Sequence, residues 1–127
     1  MRVLLDTNVM LRALAGDPAV DNISDILLAD ETEIFISAVS WWDIAARIES
    51  GRLKADLKAL REAAAESGFA ELPLRGEHVG ALSALSGSGL KASSFDLMIA
   101  AQAEVEPLRL ISSDLRLASR SVLFLRV

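Results

Sequence analysis

Val3-Leu4-Leu5-Asp6-Thr7-Asn8 opens the chain with a short apolar, β-prone run that stops at a polar corner. Val9, Met10, Leu11 and Leu14 then recur at helical spacing as far as Gly16. Strand, corner and helix in that order form the first unit of a parallel α/β protein. Pro18 sits where a further helix begins, and Ile23, Ile26, Leu27 and Leu28 continue a helical period toward Asp30-Glu31. A second strand reads Ile34-Phe35-Ile36, after which Ser37 or Ser40 can cap a helix burying Trp41, Ile44 or Ala45, and Ile48, and ending at Gly51. Asp43 and Arg47 fall off that stripe.

Leu53, Leu57, Leu60 and Ala64 describe an amphipathic helix over residues 53–67 that stops near Gly68. Residues 69–74 are short, extended and broken by Pro73. A helix over 77–85 would turn Val79, Leu82 and Leu85 inward, and Ser86-Gly87-Ser88-Gly89 reads as a loop. The pattern is strongly helical from Ser94 to Val105, then extended from Leu108 to Ile111, with a corner at Ser112-Ser113-Asp114 and a last strand near Val122 to Leu125. Helices alternating with short apolar strands predict an α/β fold: a three-layer α/β/α sandwich with a short, mostly parallel central sheet.

Length agrees with one domain over residues 1–127, since 127 residues can bury a core without staples. Hydrophobic residues make up 52% and aromatics only 5%, so disorder is excluded and the core must be aliphatic and alanine-rich. The absence of cysteine removes disulfides, thiolate metal sites and cysteine nucleophiles. With one histidine, His78, any metal site must be built from oxygen. The N-terminus lacks the apolar stretch of a signal peptide and no segment reaches the ~20 apolar residues of a membrane span, which predicts a cytoplasmic protein. A net charge of −5 disfavours bulk electrostatic binding to nucleic acid, although bound cations can reverse the local sign.

In open parallel sheets the functional crevice lies beyond the carboxyl ends of the strands. That rule selects Asp6 after the first strand, Asp114 after a later one, Asp43 early in the helix after the second strand, and Asp96 at the start of the helix before the Asp114 strand. Singly, each acid is an ordinary helix cap or first-turn residue. Jointly, carboxylates at one crevice repel one another unless a divalent cation holds them, and Mg²⁺ or Mn²⁺ suits an all-oxygen set. Both readings are open on spacing alone.

Three stretches carry a resemblance. Leu4-Leu5-Asp6-Thr7-Asn8, Ile36-Ser37-Ala38-Val39-Ser40-Trp41-Trp42-Asp43-Ile44-Ala45 and Phe95-Asp96-Leu97-Met98-Ile99-Ala100-Ala101-Gln102-Ala103 resemble the signature stretches of PIN-domain proteins, and within them the VapC-type toxin ribonucleases. The similarity covers essentially the whole chain in order. It implies an Mg²⁺- or Mn²⁺-dependent endoribonuclease, the toxin of a type II toxin–antitoxin pair, with Asp6, Asp43, Asp96 and Asp114 as its catalytic acids. Asp6, Asp96 and Asp114 would hold the metal and Asp43 would orient or deprotonate the attacking water. Beside them, Asn8 and Ser112 can hydrogen-bond the carboxylates or the ion's waters but are equally good corner residues, and Arg47, four residues after Asp43, forms a helical ion pair or, as the resemblance implies, orients Asp43. The implied partners are an RNA substrate and a cognate VapB-like antitoxin, in a homodimer or a larger assembly with that antitoxin.

The match departs from the family at four places: Asp43 stands where Glu is usual, Ser93-Ser94 where Asp-Pro is common, Leu97 in place of a frequent basic residue, and Ser113 where Arg is common. Among other residues, His78 reads as a surface or capping residue and Gln102 as a helix-face hydrogen bonder. Trp41-Trp42 reads as core or oligomer-interface packing, with base stacking chemically available. Two other function classes compete. A non-catalytic acidic α/β module would dock a basic peptide and show no metal dependence. A phosphoacceptor receiver needs an acidic pair after the first strand and a strand-end lysine, whereas Asp6 is followed by Thr7-Asn8 and the lysines are Lys54, Lys58 and Lys91.

Overall fold

The computed structural model of the chain describes residues 1–86, 93–114, 117 and 125–126. Their strands β1 (Arg2–Leu5), β2 (Glu33–Ser37), β3 (Ala70–Leu72), β4 (Arg109–Ser112) and β5 (Leu125–Arg126) form one sheet in the order β3-β2-β1-β4-β5, with every pairing parallel. Helices α1 (Thr7–Ala15), α2 (Ser24–Leu28), α3 (Ala38–Glu49), α4 (Leu57–Glu66), α5 (Gly76–Ser86) and α6 (Ser94–Val105) run between them. The expected α/β class and parallel sheet are both present.

Strand alternation divides the core into two layers. Val3 and Leu5 of β1 point to the face covered by Val9 and Met10 of α1, Trp41 and Ile44 of α3 and Ala64 of α4. Leu4, between them, points to the opposite face with Leu85 of α5, Ile99 and Ala103 of α6, and Leu110 of β4. β1 is apolar on both faces because both are covered, as expected of a central parallel strand.

Several boundaries differ from the sequence reading, each for a local reason. The expected helix from Pro18 is a 3-10 helix, Pro18–Ile23, followed by the separate α2; Asp17 caps it by accepting the Ala19 N–H at 2.9 Å. α4 begins at Leu57 rather than near Leu53 because the Asp56 carboxylate accepts the N–H groups of Lys58 and Ala59, fixing the start of the helix there. Leu53 nevertheless packs on the core, from the loop. Val79 is exposed rather than inward: His78 and Leu85 are the fully buried residues of α5, and Leu82 between them packs on the core. Ser37 is the residue that caps α3, with Oγ accepting the Val39 N–H at 2.9 Å, and Gly51 takes up a φ of 79° just past its end. The expected loop beyond Ser86 and most of the expected last strand lie outside the described residues.

Candidate functional site

The sheet register assembles one edge of the site. Leu5 pairs with Ile36 and with Ile111, so the following residues Asp6, Ser37 and Ser112 form a rank across β1, β2 and β4 at the carboxyl end of the sheet. The Asp6 N–H extends the ladder by donating to the Ile111 carbonyl at 3.1 Å. All three polar side chains are buried.

Asp6 has two engagements at once. As N-cap of α1 its Oδ1 accepts the Val9 N–H at 2.8 Å, and the Ser112 hydroxyl also donates to its carboxylate. Only 4% of the residue is exposed, and this burial is the main cause that raises its carboxyl above the ordinary 3.8. The Ser112 and Val9 hydrogen bonds act in the opposite direction, and the charges of Asp96 and Asp114 raise it further. The charges of Asp96 and Asp114 thus both bear on Asp6.

Asp96 lies in the first turn of α6, whose N-cap Ser93 accepts the Asp96 N–H at 3.1 Å. Asp114 follows β4, and its N–H donates to the Ser112 hydroxyl at 3.0 Å. Ser112 thus bridges two of the acids, receiving from the backbone of Asp114 and donating to the carboxylate of Asp6.

Asp43 is engaged by a different partner. It is buried on α3, although it lies off the apolar stripe, because Arg47 covers it: Nε donates to Oδ1 at 2.9 Å and Nη2 to Oδ2 at 3.0 Å. Arg47 Nη1 also donates to Asn8 Oδ1 at 2.8 Å. Asn8 was expected to hydrogen-bond the carboxylates or the waters of an ion, or to serve only the corner; its exposed side chain accepts from Arg47 through Oδ1. A second bond, from Thr7 Oγ1 to Ser40 Oγ at 3.2 Å, also joins α1 to α3. These residues lie 33 positions apart, and nothing in their local sequence signals the pair.

Behind the rank lies a buried polar relay. The Ser37 hydroxyl donates to Gln102 Oε1, and the Gln102 amide donates to the Pro73 carbonyl at 3.4 Å. His78 is fully buried rather than superficial; its Nδ1 accepts the Arg75 N–H at 3.0 Å at the start of α5, and its Nε2 lies 2.6 Å from Glu106 Oε2. The capping half of the expectation for His78 holds and the surface half does not. Gln102 is the helix-face hydrogen bonder its position suggested.

The acids fit a divalent cation by chemistry: every donor is oxygen, and a bound ion would offset the share of the rise at Asp6 that the charges of Asp96 and Asp114 add to that of burial. Among the described residues no three acidic or histidine side chains are already gathered into a metal-binding group.

The family model of the PIN domain matches residues 3–123, and the chain belongs to the PIN domain family. Several solved structures share its fold. VapBC2 from Rickettsia felis, bound to a DNA fragment from its promoter, matches with a TM-score of 0.72 at 18% identity over 100% of this chain and 98% of that one. A toxin–antitoxin complex from Klebsiella pneumoniae matches with a TM-score of 0.69 at 18% identity over 97% and 95%. VapBC-1 from nontypeable Haemophilus influenzae matches with a TM-score of 0.66 at 17% identity over 99% and 98%. No curated protein matches the chain by sequence.

Proposed function

We propose that the chain is a Mg²⁺- or Mn²⁺-dependent endoribonuclease acting as the toxin of a type II toxin–antitoxin pair. The observation that carries this reading is the burial of the Asp6 carboxylate at the carboxyl edge of a parallel sheet, where the charges of Asp96 and Asp114 also bear on it. Membership of the PIN family and the toxin–antitoxin assemblies among similar folds support it.

In this reading Asp6, Asp96 and Asp114 hold the ion. Bound there, the metal supplies Lewis-acid stabilisation of the phosphate charge and a nucleophile at neutral pH. Ser112 keeps the Asp6 carboxylate in place. Asp43 orients the attacking water through lone pairs that Arg47 leaves open, since a carboxylate offers about four acceptor sites and two are engaged. Attack by water, without use of the ribose 2′-hydroxyl, leaves a 5′-phosphate and a 3′-hydroxyl. The protein acts as one domain in the cytoplasm, paired as a homodimer or larger assembly with a VapB-like antitoxin. Among the described residues no helix is long and apolar enough to cross a membrane.

The test expresses the wild type and Asp96→Asn in a bacterial host without a partner and maps new 5′-monophosphate RNA ends. Discrete cuts confined to the wild type are expected. Folded protein with no new ends would instead favour a non-catalytic module that docks a basic peptide.

A further inference from the structure

One aromatic pair remains outside this account. Trp42 is 61% exposed on α3, and its ring meets that of Phe95 at 4.9 Å between centroids with the planes at 90°. The core does not need Trp42, because Trp41 and Ile44 supply the buried face of α3. An exposed indole leaves a large apolar area in water, which is unfavourable unless something covers it. Trp42 immediately precedes Asp43, and Phe95 immediately precedes Asp96. The ring pair therefore bridges the two helices that carry those acids.

The chain carries a net charge of −5, so general phosphate attraction offers it little hold on a polyanion. Stacking is independent of charge, and every base presents a π face. A second copy of the chain fits the pair less well, since a stable interface needs roughly 800 Å² per partner and, among the described residues, α3 and α6 expose no large apolar side chain besides Trp42. Among the described residues the other large exposed apolar side chains, Met1, Leu28, Leu74 and Val79, lie on other elements. We infer that Trp42, braced by Phe95, is a stacking platform for a nucleobase of single-stranded RNA beside the cleaved phosphate. This inference rests on the nuclease reading.

The experiment titrates metal-free protein in EDTA with a single-stranded RNA decamer and with an abasic ribose-phosphate decamer of equal charge, reading indole fluorescence and the anisotropy of the labelled strand. The wild type should prefer the RNA, and Trp42→Ala should lose about 5- to 150-fold in RNA affinity, falling to the abasic level. Trp42→Phe should retain most of the preference, and Phe95→Leu should lose an intermediate amount. Unchanged RNA affinity in Trp42→Ala overturns the platform, as does a fall in its solution mass, which would assign the face to a second copy. The nuclease reading fails separately: RNA held through Trp42 but left uncut by the wild type in Mg²⁺ defeats it, whereas cutting with affinity indifferent to Trp42 defeats only the platform.

Discussion

Arg47 grips Asp43 as a fork, with two parallel hydrogen bonds of 2.9 and 3.0 Å, while its remaining amino group reaches Asn8 on another helix at 2.8 Å. An (i, i+4) pair on a helix surface is worth only about 0.3–0.5 kcal/mol. This one differs because the Asp43 side chain is 5% exposed and the Arg47 side chain 24%. The contact fixes the direction in which a buried carboxylate points, and it ties α3 to the corner that follows Asp6.

Arg47→Met should therefore cost more than a surface pair. Leaving a buried carboxylate without its donors is expected to destabilise the chain by about 1–3 kcal/mol, read as a shift in urea midpoint. RNA cleavage should fall as well. Arg47→Lys keeps the charge and loses the fork, so it should lie between the two. Equal midpoints for wild type and Arg47→Met would show that the pair contributes nothing.

Asp6 predicts a dependence of stability on pH. Burial first, then Asp96 and Asp114, raise its folded-state carboxyl above the ordinary 3.8, against the hydrogen bonds from Ser112 and Val9. Between those two values the folded chain holds more protons than the unfolded one, so this group's stability contribution falls as pH rises through the window and stays low above it. Asp6→Asn keeps an oxygen to cap Val9 and removes the charge. In metal-free buffer it should be more stable than the wild type at neutral pH, with the gap closing on acidification. Urea midpoints across pH decide this, and a gap that widens toward acid would contradict the assignment.

Metal should reverse that order. An ion that binds only the folded chain stabilises it by about 2.7 kcal/mol at a hundred times its Kd. Added Mg²⁺ or Mn²⁺ should raise the wild-type melting temperature by several degrees while moving Asp96→Asn little. Asp96→Asn itself should melt at or slightly above the wild type in EDTA, because one of the charges opposing Asp6 is gone. Its cleavage of RNA should be abolished. A melting temperature of Asp96→Asn that rises with Mg²⁺ as much as the wild type's would remove Asp96 from the ligand set.

The parallel sheet and the place of Asp6 at its carboxyl end were legible because both follow from local pattern. Val3-Leu4-Leu5 is apolar throughout and ends at Asp6, which fixes a buried strand and its carboxyl-end corner together. Helix starts were less legible: Leu53 continues the apolar period of α4, yet it lies in the loop because Asp56 captures the first N–H groups. The site's cross-links were illegible for a different reason. Asn8 with Arg47, Thr7 with Ser40 and Ser37 with Gln102 join residues 39, 33 and 65 positions apart, and only folding chooses among the many acceptors available to each. His78 misled for the same reason, since its burial is set by Glu106 and by the start of α5.

Gln102 links the two halves of the site. It sits on α6 with Asp96, and it accepts the hydroxyl of Ser37, the cap of the helix that carries Asp43. Gln102→Leu has nearly the same volume but leaves the buried Ser37 hydroxyl and the Pro73 carbonyl without these partners, which should cost about 1–3 kcal/mol. Ser37→Ala should cost about 0.5–2 kcal/mol through the lost cap. The double variant should cost less than the sum of the two, because the second change removes the group that the first left unpaired. Cleavage should fall further in Gln102→Leu than its folded fraction explains, since α6 is then free to shift Asp96 relative to Asp6. Strictly additive midpoints, with cleavage proportional to the folded fraction, would reduce Gln102 to a packing residue.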